Sequence, residues 1–126
     1  MFEQMKMMGA LAALMKDKDK LAARAAKLRE EMERLRVEGQ AGGGAVRVVA
    51  NGRMKVLSVD VSGPLAAGMA TDAATKALAA GLIAEGVNDA LSKAQEKLAQ
   101  AVEREAGELG LPPEMVQGLS RMALGA

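Results

Sequence analysis

The sequence predicts an α+β protein in which a three-stranded antiparallel sheet lies between two long helices. Three observations support this fold class: a proline-free stretch with leucines seven residues apart, a short β-branched region interrupted by glycines, and a second long stretch with apolar residues at helical spacing. The chain has 126 residues, which is the size of one domain. Residues 1–126 are therefore expected to form a single domain.

The first helix is predicted over about residues 3–36. It contains no proline, and leucines recur every seven residues, at Leu14, Leu21, Leu28 and Leu35. Such a seam is typical of a helix that packs along its length against another helix. At 1.5 Å per residue the helix would be about 50 Å long, more than a small domain can cover. Part of the seam is therefore expected to meet a second subunit.

Three short strands are predicted to follow, at about 37–41, 45–50 and 53–61. In the second strand, Val46 and Val48 alternate with other residues, as in a strand with one buried face. Asn51-Gly52 has the chemistry of a two-residue type I′ hairpin turn, because both residues tolerate positive φ. Val59 is expected on the apolar side of the third strand, and the second strand is expected to pair on both of its edges.

The second long helix is predicted over about residues 72–109, with Thr71-Asp72 as its cap. The segment before it, residues 62–70, contains Gly63-Pro64 and Gly68 and is expected to be a loop. Inside the helix, Gly81 and Gly86 cost about 1 kcal/mol each relative to alanine but would allow close helix contact. A short terminal helix is predicted over about 114–124.

Composition argues against catalysis, because the chain contains neither cysteine nor histidine. Disulfides and thiolate sites are excluded, and the commonest general base and transition-metal ligand are missing. No activating base is evident for the four serines, Ser58, Ser62, Ser92 and Ser120. We therefore expect a protein that is not an enzyme, with no catalytic residue, metal site, cofactor or small-molecule substrate.

The N-terminal segment is rich in methionine, at positions 1, 5, 7, 8 and 15. A helix that lies on a membrane surface normally adds aromatic residues and a basic face, whereas this segment offers Phe2 and Lys6. Packing into a subunit interface is favoured over membrane binding, and a frayed terminus is the other alternative. The chain has no signal-peptide pattern and no apolar run of the roughly 18 residues that span a bilayer. A cytoplasmic protein is expected.

The glycines at 39 and 42–44 could in principle cradle a phosphate with their backbone N–H groups. A nucleotide-binding loop would need a helix directly after the glycines, and a P-loop would also need Gly-Lys-Ser or Gly-Lys-Thr. Here a strand is predicted to follow instead. A hairpin turn is therefore favoured over a nucleotide site.

Positive charge is concentrated at one end of the chain. Residues 1–36 hold nine Lys or Arg against six Asp or Glu, whereas residues 71–126 hold five against eight. On the first helix, cations spaced by four or three residues form a basic stripe: Lys16, Lys20, Arg24 and Lys27, extended by Arg34. The stripe is off the leucine seam and is therefore expected to face solvent. Such a row can neutralise successive phosphates of a duplex. Spacing alone favours the alternative, a solvated helix face, and favours it more strongly for Lys93 and Lys97.

The centre of the chain carries a specific glycine-and-valine pattern. Residues 37–52 read VEGQAGGGAVRVVANG, and valines follow at 56, 59 and 61. This pattern resembles the central signature of the YbaB/EbfC family of bacterial nucleoid-associated proteins. Asn88-Asp89-Ala90 with Lys93-Ala94 resembles the matching part of that family's second long helix, and the resemblance covers about residues 14–101.

The resemblance implies an α-β-β-β-α subunit and a tweezer-like homodimer joined through its sheets and helices, on which higher assemblies could be built. It also implies largely sequence-tolerant binding of double-stranded DNA in the bacterial nucleoid. The candidate DNA-binding residues are Lys16, Lys20, Arg24, Lys27, Arg34, Lys93 and Lys97. The candidate dimer and core residues are Leu14, Leu21, Leu28, Leu35, Val46, Val48 and Val59.

Two functions therefore remain open at the level of the sequence. The leading hypothesis is a homodimer that contacts the phosphate backbone of DNA and helps to organise the nucleoid or regulate genes. The alternative is a structural or adaptor protein whose heptad helices bind another protein without nucleic acid. The basic stripe would control binding in the first case, and the leucine seam in the second.

Overall fold

The computed structural model describes residues 2–16, 18–110 and 114. The elements are α1 (Phe2–Lys16), α2 (Lys18–Arg34), β1 (Val37–Ala41), β2 (Val46–Ala50), β3 (Val56–Val61), α3 (Gly63–Thr71) and α4 (Ala73–Glu108). Helical structure, three antiparallel strands and a long helix follow one another, which confirms the predicted α+β class. The chain divides into two compact units, one of residues 33–96 and the other of residues up to 32 together with those from 97.

In the unit of residues 33–96, the sheet has the strand order β1-β2-β3, and both pairings are antiparallel. Val48 of β2 lies opposite Gly39 on one side and Val59 on the other. The middle strand therefore pairs on both edges, as the sequence predicted. A 3₁₀ turn over Gly42–Gly44 joins β1 to β2, and all three of its glycines have positive φ, which supports the hairpin-turn interpretation of this glycine cluster.

The connection between β2 and β3 differs from the predicted two-residue type I′ turn. All five residues between the strands form it, and its left-handed residue is Met54, with φ of 64°, rather than Asn51 or Gly52. Asn51 is only 5% exposed, and its side-chain oxygen accepts hydrogen bonds from the backbone N–H groups of Arg53 (2.9 Å) and Lys55 (3.1 Å). A buried amide therefore holds this longer loop, and β3 begins later than predicted.

The core of this unit lies between α4 and one face of the sheet. Val46, Val48 and Ala50 of β2 are fully buried and cluster with Ala90 and Ala94 of α4. Alternation along β2 places Val46, Val48 and Ala50 on one face. The core is built from small side chains, since the largest fully buried ones are valines.

Two glycines bring α4 unusually close to the sheet. A Cβ atom at Gly39 would overlap the backbone nitrogen of Ala90 and lie 2.5 Å from the carbonyl oxygen of Gly86. A Cβ atom at Gly86 would lie 3.1 Å from Cγ1 of Val46. Of the two glycines for which the sequence suggested close helix contact, Gly86 allows α4 to lie close to a strand. A Cβ atom at Gly81 would meet nothing within 4 Å.

The segment after β3 forms a helix, α3, where the sequence predicted a loop over residues 62–70. The Ser62 hydroxyl accepts a hydrogen bond from the backbone N–H of Leu65 (3.4 Å) and caps the helix. Pro64 lies in the first turn, where its missing N–H costs no helical hydrogen bond. The glycine and proline that indicated a loop are therefore compatible with a helix start.

Asp72 separates α3 from α4 and serves both helices. Its backbone N–H donates to the Gly68 carbonyl oxygen at the end of α3 (2.9 Å). Its carboxylate accepts hydrogen bonds from the Thr75 hydroxyl (2.8 Å) and from the backbone N–H of Ala74 (3.1 Å). The Thr75 hydrogen bond, followed by that of Ala74, lowers the pKa of Asp72. Asp72 thus provides the cap that the sequence predicted for the second long helix.

In the other unit, α2 runs antiparallel to the last turns of α4. Arg24 lies near Glu108, whereas Glu31, farther along α2, lies near Arg104, farther back along α4. Asp17, within the predicted helix of residues 3–36, and most of the predicted terminal helix of residues 114–124 lie outside the described residues. Within the part of the chain that the structure describes, no helix has the length and apolar character needed to cross a bilayer.

Candidate nucleic-acid interface

The basic stripe of the sequence begins at the end of α1 and continues along α2. Lys16 is the last residue of α1, and Lys20, Arg24 and Lys27 follow on α2 at spacings that share one helix face. The three lysines are exposed to solvent, whereas Arg24 is half-buried. The lysines therefore form the accessible part of the stripe.

Arg24 faces the acidic end of α4 rather than open solvent. Its Nη1 atom lies 3.7 Å from Oε2 of Glu108 and 3.8 Å from Oε2 of Glu105, and it is shielded from solvent without a hydrogen-bond partner. The sequence predicted that the whole stripe would face solvent. Its central member departs from that prediction, because α4 brings two carboxylates to it.

A second arginine extends this arrangement. Nη2 of Arg104 donates a hydrogen bond to Oε2 of Glu31 (2.8 Å) and lies 3.8 Å from Glu105. The hydrogen bond to Glu31 raises the pKa of Arg104. We name these five residues the α2–α4 charge network: Arg24, Glu31, Arg104, Glu105 and Glu108. In the sequence, the acidic excess of the last third was the one indication of this charge network.

Lys93 makes its contacts within the protein. Its Nζ donates to the backbone carbonyl of Glu38 (3.0 Å) and to Oδ2 of Asp89 (3.1 Å). The same Asp89 oxygen accepts the backbone N–H of Gln40 (3.0 Å). The Gln40 N–H, and after it Lys93, lowers the pKa of Asp89. Lys93 thus joins α4 to β1, a role that the sequence did not indicate.

The two remaining candidate cations are exposed. Arg34 is the last residue of α2 and belongs to the unit of residues 33–96. Lys97 lies on α4 in the other unit.

The candidate dimer and core residues fall into different environments. Val46 and Val48 are fully buried, Leu35 packs against the same core, and Leu28 is half-buried. Leu21 is 37% exposed, and the side chain of Leu14 lies outside the described part of the chain. The leucine seam is therefore only partly covered in a single subunit.

β3, for which the sequence predicted an apolar side, exposes apolar side chains in the single subunit. Val56, Leu57 and Val59 are 40%, 45% and 43% exposed. Val59 lies opposite the fully buried Val48 on the adjacent strand, so α4 covers the inner face of the sheet at β2 but leaves it open at β3. We name these three residues the β3 apolar patch.

Comparison with known proteins places this arrangement in a family. The model of the YbaB/EbfC DNA-binding family matches residues 6–109. A nucleoid-associated protein of Pelotomaculum thermopropionicum is 36% identical over 82% of this chain and 94% of the relative. A nucleoid-associated protein of Syntrophobacter fumaroxidans is 40% identical over 75% of this chain and 81% of the relative. The fold is similar to a crystal structure of an uncharacterized protein of Helicobacter pylori, with a TM-score of 0.60, 18% identity and coverage of 75% of this chain and 91% of that chain. Because the family match spans the sheet and reaches into the helices on either side of it, the chain belongs to the YbaB/EbfC DNA-binding family.

Proposed function

We propose that this protein is a homodimer that binds double-stranded DNA through the phosphate backbone, with little dependence on base sequence, in the bacterial nucleoid. The observation that carries the proposal is the family match over residues 6–109. The name that the relatives share, nucleoid-associated protein, supports the location and a contribution to nucleoid organisation. The family is defined by DNA binding rather than by an enzymatic reaction.

Exposed cations on α1 and α2 support the contact with phosphates. Lys16, Lys20 and Lys27 are exposed, and side chains of this kind neutralise phosphates without reading base edges. This favours binding that tolerates many sequences. Arg24 would first have to leave Glu105 and Glu108, so we assign it a smaller part than Lys16 and Lys27.

Fluorescence anisotropy of a labelled duplex at stepped salt tests the DNA-binding proposal. Affinity should fall steeply with salt, and Lys20→Ala/Lys27→Ala should reduce the slope of log affinity against log salt by about 0.9 for each lysine that contacts a phosphate. Arg47→Ala/Lys76→Ala removes the same charge from the other unit and is the matched control. Two duplexes of unrelated sequence should bind alike. Salt-independent affinity, or equal losses in both variants, would contradict the proposal.

The β3 apolar patch supports the homodimer. Within the described part of the chain, the outer edge of β3 pairs with no strand. An unpaired apolar edge strand is a template for pairing with another chain. Pairing of β3 with its own copy suits two-fold symmetry, because the same surface is presented by both subunits.

Sedimentation velocity tests the dimer. Val59→Lys places a charge in the β3 apolar patch and should shift the protein from dimer to monomer. Ala84→Lys adds the same charge at an exposed position of α4 and should leave the dimer intact. A monomeric wild-type protein, or a dimer unaffected by Val59→Lys, would contradict this part of the proposal.

Exposed apolar side chains on α1 favour the adaptor function as a second candidate. Met5, Met8 and Leu11 are 71%, 72% and 45% exposed. Purification from cells before and after nuclease treatment separates the two functions. Partners that persist without nucleic acid and are lost on Leu11→Asp/Leu21→Asp would support the adaptor, whereas partners lost with the nucleic acid would support DNA binding.

A further inference from the structure

The two edges of the sheet differ in how their backbone groups are satisfied. β1 forms one edge and β3 the other, since the strand order is β1-β2-β3. β3, which forms the second edge, exposes the β3 apolar patch, and within the described part of the chain no strand pairs with its outer side. The outer edge of β1, by contrast, receives two side chains of α4, Asp89 and Lys93.

The hydrogen-bond pattern identifies the outward-facing residues of β1. The Ser62 N–H donates to the carbonyl of Ala45 (2.8 Å), so odd-numbered residues on β2 bond towards β3 and even-numbered residues towards β1. The register places these even-numbered residues opposite the odd-numbered residues of β1. The backbone groups of Glu38 and Gln40 therefore point away from the sheet.

Asp89 and Lys93 bind these outward-facing groups. Asp89 Oδ2 accepts the Gln40 N–H at 3.0 Å, and Lys93 Nζ donates to the Glu38 carbonyl at 3.0 Å. The two side chains also pair with each other at 3.1 Å, one helical turn apart. An acceptor and a donor from α4 thus occupy the positions that the carbonyl and N–H of an added strand would take.

Gly39 explains how α4 side chains reach this edge. It lies between Glu38 and Gln40, and its missing Cβ lets the backbone of α4 at Ala90 lie directly against β1. Asp89 and Lys93 therefore extend past the strand to its outer edge. Any side chain at residue 39 would move them away from it.

From this arrangement we propose that Asp89 and Lys93 seal the β1 edge against strand addition, so that copies of this chain can join only through β3. Pairing of β3 with β3 is isologous and closes after two subunits. If β1 were also open, pairing of β1 with β3 would be heterologous and could continue into a chain of subunits. The claim that copies join through β3 rests on the proposed homodimer. The claim that Asp89 and Lys93 block the β1 edge does not.

The test compares Asp89→Ala/Lys93→Ala with Glu85→Ala/Lys76→Ala, which removes one acid and one base from exposed positions of the same helix. Hydrogen–deuterium exchange should be about tenfold faster at the Gln40 amide in the first variant, because an amide bonded to a carboxylate loses its partner. Sedimentation velocity should then detect species larger than the wild type. The control should match the wild type in both measurements.

A rescue variant distinguishes an opened edge from misfolding. Gln40→Pro, added to Asp89→Ala/Lys93→Ala, removes the outward N–H and blocks strand addition by different chemistry. Its return to the wild-type size supports the proposal. A variant that is folded by far-UV circular dichroism and stays large despite the proline overturns it, as does unchanged Gln40 exchange in the double variant.

Two further outcomes are informative. If Asp89→Ala/Lys93→Ala does not fold, Lys93→Met replaces it. This variant loses the hydrogen bonds of Lys93 to Glu38 and Asp89 but keeps Asp89 as the acceptor for the Gln40 N–H. It is tested by self-association alone, and a wild-type size overturns the seal. A monomeric wild type would contradict the proposed homodimer, yet growth of the unsealed variant into larger species would still support the seal.

Discussion

Gly39 is the residue at which a single methyl group should matter most. A Cβ atom there would overlap backbone atoms of α4, which cannot rotate away as a side chain can. We expect Gly39→Ala to reduce the free energy of unfolding by about 3 kcal/mol or more, as overpacking against a rigid neighbour does. Urea denaturation measures this loss.

Gly81 provides the control for that prediction. It lies inside α4, and an added Cβ would meet nothing within 4 Å. Gly81→Ala should therefore raise the free energy of unfolding by up to about 1 kcal/mol through helix propensity. Equal effects of the two substitutions would contradict the packing assigned to Gly39.

Asp72 should make stability depend on pH in the acid range. Its pKa in the folded protein is lowered below 3.8 by the Thr75 hydroxyl and the Ala74 N–H. A lowered pKa means that the contribution to stability is present above the unfolded-state pKa and is lost as the pH falls through the folded-state pKa. Thermal melts should thus find Asp72→Ala less stable than wild type at pH 7, with a smaller difference below pH of about 3.

Asp72→Asn isolates the role of charge in this prediction. Asparagine caps helices as well as aspartate does but does not titrate. The wild type should lose stability relative to Asp72→Asn on acidification. A constant difference between the two proteins across this pH range would show that Asp72 does not titrate with folding.

Residue-scale contacts were also the part least predictable from the sequence. The alternation of Val46 and Val48 was enough to predict a buried face, because that pattern is local. The contacts of Asp89 with Gln40 and of Lys93 with Glu38 join residues 49 and 55 positions apart. They depend on how closely α4 approaches β1, and no local pattern encodes that distance.

At the scale of elements, α3 illustrates why glycine and proline can mislead. Gly63, Pro64 and Gly68 each disfavour a helix interior, and together they predicted a loop. Proline is compatible with the first turn, and Ser62 caps the helix. Gly68 faces Thr75, whose Cγ2 would lie 2.6 Å from an added Cβ. Packing between α3 and the start of α4 thus favours glycine at residue 68, although glycine has a low helix propensity.

The α2–α4 charge network should oppose DNA binding. Glu105 and Glu108 hold Arg24 as phosphates would. Glu105→Gln/Glu108→Gln should therefore raise affinity for duplex DNA and steepen its salt dependence by about 0.9 if Arg24 gains one phosphate contact. Anisotropy titrations at several salt concentrations measure both quantities.

A charge-matched variant is needed here, because any lost carboxylate favours binding to a polyanion. Glu85→Gln/Glu96→Gln removes two exposed carboxylates from α4 outside the network. It should raise affinity less and leave the slope unchanged. Equal gains in both variants would show that net charge, rather than release of Arg24, controls binding.

At the scale of the whole molecule, a small core is combined with apolar surface on a free edge. The fully buried side chains are valines and alanines, which contribute little burial per residue. Such a core agrees with the composition, in which alanine, leucine, valine and methionine dominate the apolar residues and only one residue is aromatic. The sequence did not indicate that β3 would be the exposed strand, because β3 has the same apolar alternation as the buried strands and only the position of α4 distinguishes them.

If the homodimer completes this core, stability must depend on protein concentration. Folding coupled to dimerisation gains about 1.4 kcal/mol per mole of dimer for each tenfold increase in concentration, which corresponds to a rise in Tm of about 3 °C for a dimer of this size. Calorimetry over a hundredfold concentration range measures the trend. Val59→Lys should lower Tm and abolish the concentration dependence, whereas Ala84→Lys should preserve it. A wild-type Tm that is independent of concentration would mean that each subunit folds alone and that the β3 apolar patch has another role.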